Sequence, residues 1–517
     1  MSSRLGATGR FCWLAAILVL ILGALGGVRQ AAGAPGGQEL RVRLVNDIYD
    51  VDPARIRDTE DYAISREIYS SLVRYNSVKP GGVEPDLAER YEVSKDGLVY
   101  TFWLHKGVKW HKGYGNVTAK DVKFSLDRLS DKAAGSLYLN QASVIDHVQV
   151  VDDYQVKVYL KRPYPGFLVE MLAYRPGFVV NEKALKEFKD KYTAHPIGSG
   201  PFIFDEWQPG AKIVLKANPD YYGQKPKVTQ ATFVLIKDDS LFEVAIEKGD
   251  VDLGYFTDAD VQERIVANKK LTALVKPAPQ TIYVRINVTK KPWDDVRVRR
   301  ALWYATDRPS IVKNVFHGLA QISDTLLNPS VFGYDKQIYY KYDPAKAKEL
   351  LREAGYPNGF ESDFFYYNSE TWPKGAPAVQ GAWKSVGINV NLKLFEDAQL
   401  YEQYRAGNFS LGADGIMRVG PDQVYSILLH SKSIPLPNAM RYNDPQMDRL
   451  IDDARVEVDN AKRATLYHKI QEKMRADVPI VPLYQPEFVL AMQRNIKGVV
   501  FPGIQAYVLS NVIKEKP

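Results

Sequence analysis

The one cysteine of this 517-residue chain, Cys12, lies at the start of an apolar N-terminal stretch, so everything beyond it must fold without a disulfide or a thiolate metal site. Arg4 and Arg10 flank the stretch Phe11 to Leu25, and small residues follow, ending in Ala32-Gly33-Ala34. A basic flank, an apolar run shorter than the roughly 20 residues that span a bilayer, and a small-x-small ending make the pattern of an export signal. Cleavage is expected after Ala34; a retained anchor is the alternative. Cys12 opens the apolar run instead of following it, so a lipoprotein is not expected. A chain freed of its only thiol suits the periplasm, where stray thiols oxidise.

Roughly 480 residues remain after that cut. Single cores stop growing near roughly 250–300 residues, so two lobes are expected. The formal charge of +7 falls to +4 once Arg4, Arg10 and Arg29 are removed. Acidic and basic residues are well mixed with no long basic run, which argues against nucleic acid as a partner. The 32 tyrosines offer flat apolar faces with polar tips, which suit a ligand cleft as well as a core.

Local patterns point to mixed α/β lobes. Leu40 to Val45 alternates like a half-buried strand, and Val148 to Leu160 reads as a hairpin turning at Asp152-Asp153. Thr118-Ala119-Lys120-Asp121 resembles a capping box that opens a helix. Asp343-Pro344 begins an apolar-striped helix that Gly355 and Pro357 stop. Gly387 to Leu392 alternates as a strand, and Asp444 to Ala476 reads as two helices meeting near Asp459. Strands alternating with helices are the signature of α/β layers.

Five ordered blocks carry a family resemblance. The first holds Asp52-Pro53, Ile68 to Tyr75 and Glu84-Pro85-Asp86-Leu87-Ala88-Glu89. The second holds Asp96-Gly97-Leu98-Val99-Tyr100-Thr101-Phe102 and Lys106 to His111, then Thr118 to Val122. The third runs from Gly198-Ser199-Gly200-Pro201-Phe202 to Asn218-Pro219-Asp220-Tyr221-Tyr222-Gly223. The fourth contains Asn287, Lys291 to Leu302 and Ala305-Thr306-Asp307-Arg308. The fifth is the helix after Asp343.

Together they resemble the large peptide- and nickel-binding class of periplasmic solute-binding proteins that serve ABC importers. The resemblance implies a two-lobed periplasmic-binding-protein fold of class II, with α/β lobes, an extra subdomain inserted in lobe I and a hinged cleft between the lobes. The expected divisions are 1–34 signal, 35–79 lobe I, 80–181 inserted subdomain, 182–278 lobe I, 279–486 lobe II and 487–517 lobe I again. The crossovers are expected near Lys276 to Thr281 and Tyr484 to Val489.

The catalytic templates G-x-S-x-G, H-E-x-x-H and G-x-x-x-x-G-K are absent from the sequence. Gly198-Ser199-Gly200 is read as turn chemistry. The acids Asp238 and Asp239, the best candidates for a periplasmic hydrolase on the same scaffold, stand where a helix cap belongs. The seven histidines are scattered, and no protein-built metal site or cofactor is expected.

The resemblance implies that the segment from Gly415 through Met417 and Arg418 to Asp422 meets the ligand. An acidic residue of the peptide-binding relatives, which holds a peptide's free amine, corresponds to Val419 here. Valine cannot neutralise an ammonium in a closed cleft. Asp422 is one compensating candidate. Arg418 offers a planar fork for a carboxylate or phosphate if it faces the cleft, and a solvent contact if it does not. Asn46, Tyr49, Tyr138, Tyr174, Tyr366 and Tyr484 complete the expected ligand-binding set, with Tyr367 beside them. The implied partners are a small peptide-like or anionic ligand and ABC permease subunits at the inner membrane, with the chain itself a monomer. Short peptides or peptide-like compounds rank first as cargo; oligosaccharides, opine-like conjugates and metal chelates follow.

Overall fold

The strand Ile480–Gln493 is continuous over 14 residues, yet its burial lapses at Pro486 and Glu487 alone before its last residue. That lapse marks a change of partner. Before it, the strand pairs antiparallel with Gln280–Ile286; beyond it, with Leu271–Pro277 and Leu253–Phe256. In this computed structural model, which describes residues 38–76, 81–369, 371–500 and 508–516, one sheet therefore runs through both halves of the chain.

On one side of the lapse, Leu253–Phe256 is followed by Glu39–Leu44, Gln230–Leu235, Lys212–Ala217 and Phe202–Gln208. On the other side, Gln280–Ile286 is followed by Leu411–Met417, Phe360–Tyr367 and Ile388–Phe395. Each half has its own apolar cores. Leu40, Val42, Ile64, Phe202 and Leu215 belong to the first. Trp293, Trp303, Trp372 and Trp383, all fully buried, belong to the second. Two cores with helices against the sheet give the two-lobed α/β architecture.

A separate four-stranded antiparallel sheet, ordered Ala88–Val93, Val99–Leu104, Gln155–Leu160 and Ile145–Asp152, lies inside the 80–181 span. Its last two strands form the expected hairpin. The helix Ala119–Arg128 begins where Thr118 donates its amide to Asp121 Oδ2 at 2.8 Å, and Asp343 caps Pro344–Glu353 by accepting from Lys346 N at 2.9 Å. Gly355, at φ +91°, supplies the left-handed residue that ends this helix.

The first strand departs from its alternation. Glu39 is exposed and Arg41 half-buried as alternation predicts, but the third polar position, Arg43, lies under the start of the helix Asp239–Lys248, with the centre of the Phe242 ring 4.7 Å from its guanidinium. Arg43 is 1% exposed. Its guanidinium meets Asp239 Oδ1 at 2.6 Å and the carbonyls of Ile236, Lys237 and Tyr255. Asp239 is thus a structural counter-ion, and its neighbour Asp238 caps the helix Asp239–Lys248 through Leu241 N at 2.8 Å. Gly198 and Gly200 allow close backbone approach: a Cβ on Gly200 would stand 2.7 Å from the Ile68 carbonyl carbon.

Candidate functional site

The strand Leu411–Met417 is anchored in the second lobe by a buried ion pair, Arg285 Nε to Asp414 Oδ2 at 2.6 Å. Gly415 lies opposite Ile282 in the register, and a Cβ there would stand 2.9 Å from Gln280 Nε2. Past Met417 the chain leaves the sheet. Gly420 then turns it into the helix Pro421–Leu428, with Pro421 at the first helical position where its missing N–H costs nothing.

This segment faces the first lobe across two cavities. The first, of about 470 Å³, has Met417 and Arg418 on one side and Asn46, Arg57, Tyr174 and Arg175 on the other, with Asp47, Asp58, Thr59 and Glu60 completing it. Three guanidinium groups therefore reach one space from two lobes. Arg418 Nη1 donates to its neighbour's carbonyl, Met417 O, at 2.7 Å. Arg175 donates to the Arg57 carbonyl, and the Arg57 guanidinium lies 3.6 Å from the centre of the Tyr49 ring. Among the described residues, no carboxylate forms an ion pair with Arg175 or Arg418; Arg57 Nε stands 3.6 Å from Asp58 Oδ2.

The acids of this cavity are largely committed. Asp47 accepts from Trp207 Nε1 at 3.0 Å and from Gly210 N at 2.6 Å. Glu60 is buried, and burial raises its carboxyl above the ordinary range against the 2.8 Å hydrogen bond that Tyr255 donates. The charges of the lining balance, three arginines against Asp47, Asp58 and Glu60, but Asp47 and Glu60 are engaged in hydrogen bonds while Arg175 and Arg418 each spend one donor on a carbonyl and keep others. Such a surface binds a carboxylate or phosphate by charge-assisted hydrogen bonds.

The second cavity, about 430 Å³, continues along the same segment, lined by Val419 to Asp422 and by Tyr164 to Gly166, Glu170, Arg455 and Arg463 among others. Asp422 is held by Arg455 Nε at 3.0 Å and accepts from Ser426 Oγ. Glu170 is 4% exposed and accepts from Tyr164 OH at 2.7 Å.

Of the residues expected at the ligand, Asn46, Tyr174, Met417 and Arg418 come together at the first cavity, and Asp422 at the second. Tyr49, 67% exposed, stacks beneath Arg57 at the rim. Tyr138 is buried, and its hydroxyl donates to the Ile56 carbonyl. Tyr484 is fully buried 4.6 Å from Phe316 in the second lobe's core. Tyr366 and Tyr367 pack on the edge of that core, and Gly415 stays within the sheet. None of these last five lines either cavity.

Arg57, Arg175 and Glu170 escape a reading of the sequence. Arg57 sits in a loop and Arg175 opens the single 3-10 turn Arg175–Gly177, so neither has a periodicity to aim it. Glu170 did leave a trace: it is the only charge in Phe167-Leu168-Val169-Glu170-Met171-Leu172. Among the described residues no group of three or more His, Cys, Asp or Glu could hold a metal ion, and no helix is long and apolar enough to cross a membrane.

The family model for the middle region of the bacterial extracellular solute-binding proteins, family 5, matches residues 82–434. A dipeptide-binding protein of Escherichia coli (strain K12) is 30% identical over 485 residues, covering 87% of this chain and 89% of the relative. The solved structure of HbpA2 from Haemophilus parasuis is similar at a TM-score of 0.84 and 28% identity, over 93% of this chain and 100% of that one. MoaA from A. tumefaciens R10, solved in complex with mannopinic acid, is similar at a TM-score of 0.78 and 29% identity, over 93% of this chain and 100% of that one.

Proposed function

Because the chain belongs to the bacterial extracellular solute-binding proteins of family 5, we propose that it is the periplasmic substrate-binding component of an ABC importer and that its cargo carries a carboxylate. The carrying observation is the convergence of Arg57, Arg175 and Arg418 on one interlobe cavity. A dipeptide and mannopinic acid, named for the relatives above, both present a carboxylate. Peptide-like compounds rank first for this chain, and opine-like acids second.

The mechanism needs affinity and a hinge, and no bond is made or broken. A solute that touches both lobes favours the closed state by its differential contacts there. The closed form then docks on permease subunits at the inner membrane. The hinge is assigned to the adjoining segments 276–281 and 484–489, which bound the second lobe at 279–486. The signal is removed after Ala34, and with it Cys12. The family is made of binding proteins, and this chain is read as one of them, releasing its cargo unchanged.

Native mass spectrometry of the purified protein tests this reading. The expected result is a retained small solute, released on denaturation, whose fragments include a carboxylic acid. A retained solute without an anionic group, or one that is cleaved during incubation, would overturn it.

A further inference from the structure

Glu170 stands at a point where the two lobes touch. It lies in the widely wound turn Phe167–Leu172 of the first lobe, and its backbone carbonyl accepts from Gln423 Nε2 of the second at 3.2 Å. Its side chain enters a slot between two glycines. A Cβ on Gly166 would stand 2.5 Å from Glu170 Oε1, and a Cβ on Gly420, across the cleft, would overlap the carboxyl outright. Gly420 has φ −141°, an ordinary extended conformation, so its backbone does not demand glycine; the neighbouring carboxyl does.

We propose that Glu170 is a positioning residue for solute capture, latching the lobes together by seating its carboxyl between Gly166 and Gly420. This rests on the reading of the chain as a two-lobed solute binder. The groups that face the carboxyl are Tyr164 from its own loop, Asp422 from the helix Pro421–Leu428, Arg455 from Pro445–Val456, and Arg463 and Tyr467 from Asn460–Asp477. Arg455 is bonded to Asp422, and no ion pair forms between Glu170 and Arg463.

Burial, then the charge of Asp422, push the seated carboxyl up to about 8, against the hydrogen bond from Tyr164 and the attraction of Arg463 and Arg455. Swung open to water, the same carboxyl returns to the ordinary carboxylate range. The sign follows. The latched state binds the proton more tightly, so latching strengthens as pH falls through about 8 and levels off once the open state is protonated too. Between those limits the closed-to-open ratio changes by up to about ten-fold per pH unit.

The test uses the absence of cysteine from the mature chain. Lys95→Cys, beside Asp96 of a groove between the lobes, and Lys462→Cys on the groove's other side, both exposed positions, carry spin labels in the unliganded full-length mature protein. Pulsed electron resonance reports the distances between pH 5 and 9. The short-distance population should grow as pH falls through about 8. Glu170→Gln, which keeps an acceptor for Tyr164, should hold that population high at every pH, and Gly420→Ala should hold it low. A Glu170→Gln variant that titrates like the parent, a Gly420→Ala variant that closes like the parent, or one unchanging distance at all pH values would overturn the latch. Cargo retention is measured separately, so a protein that carries solute but shows none of these shifts refutes the latch and leaves the binding reading intact.

Discussion

Ala278 donates its amide hydrogen to the carbonyl oxygen of Pro486 at 2.9 Å. This bond ties the link between Leu271–Pro277 and Gln280–Ile286 to Ile480–Gln493 at the point where that strand changes partners, the place proposed above for the hinge. Pro277, Pro279 and Pro486 each lack an amide hydrogen. On its other edge the same stretch of Ile480–Gln493 pairs with Ala320–Ile322, and Glu487 N donates to the Leu319 carbonyl at 2.8 Å, so a rotation of one half of the sheet against the other turns about this cluster of bonds. Adding the solute retained on purification should lower the radius of gyration in X-ray scattering. A radius that stays constant with saturating solute contradicts a hinge here.

The strand that presents Met417 and Arg418 depends on Arg285 and Asp414, each 3% exposed in its side chain. Arg285 also donates to the Pro437 carbonyl at 2.7 Å. Asp414→Ala leaves a buried guanidinium without its counter-ion and should cost about 3–5 kcal/mol of stability, read from denaturant midpoints. A loss within error of zero would remove the pair from the account.

Glu67 gives the fold a pH dependence of its own. It is 2% exposed, accepts from Leu509 N at 3.3 Å, and burial raises its carboxyl to about 7 despite Arg66. The folded state therefore binds the proton more tightly than the unfolded state. Stability is greatest while the group is protonated and falls as pH rises from the unfolded carboxylate range through about 7. Glu67→Gln should be more stable than the parent at pH 8, by roughly 3–4 kcal/mol at about 1.4 kcal/mol per pKa unit, with the gain fading toward pH 4.5. Equal stability at pH 8 contradicts this.

Gly198 and Ser199 separate packing from chemistry in the same turn. A Cβ on Gly198 would overlap the Ile68 carbonyl oxygen, so Gly198→Ala should cost about 1–3 kcal/mol. The Ser199 hydroxyl is buried with no hydrogen-bond partner, so Ser199→Ala should be neutral or slightly stabilising. Thermal melts of the two variants decide between them; a Ser199→Ala variant that unfolds far more easily is the contrary result.

What the sequence revealed and what it hid divide along physical lines. Caps and turns are local, so Asp343, Asp459 and Gly355 announced their helix ends. The segment through Met417 and Arg418 was recognisable by resemblance, and Arg418 lies on the cavity. Arg57 and Arg175 are 118 residues apart, and only the fold brings them together. Tyrosines are ambiguous by nature: Tyr174 lines the cleft, whereas the equally plausible Tyr138 and Tyr484 are buried. Arg43 shows how alternation misleads when a helix packs over part of a strand's polar face, because a position that looks solvent-facing becomes a buried ion pair.

The central claim is that one anionic solute is gripped by arginines from both lobes. Isothermal titration of the solute recovered from the protein, against Arg418→Ala and Arg175→Ala, tests it most directly. Loss of a charge-assisted hydrogen bond is worth about 1.5–3 kcal/mol, so each variant should bind roughly 10- to 150-fold more weakly with its melting temperature unchanged. Unchanged affinity in both variants would contradict the claim.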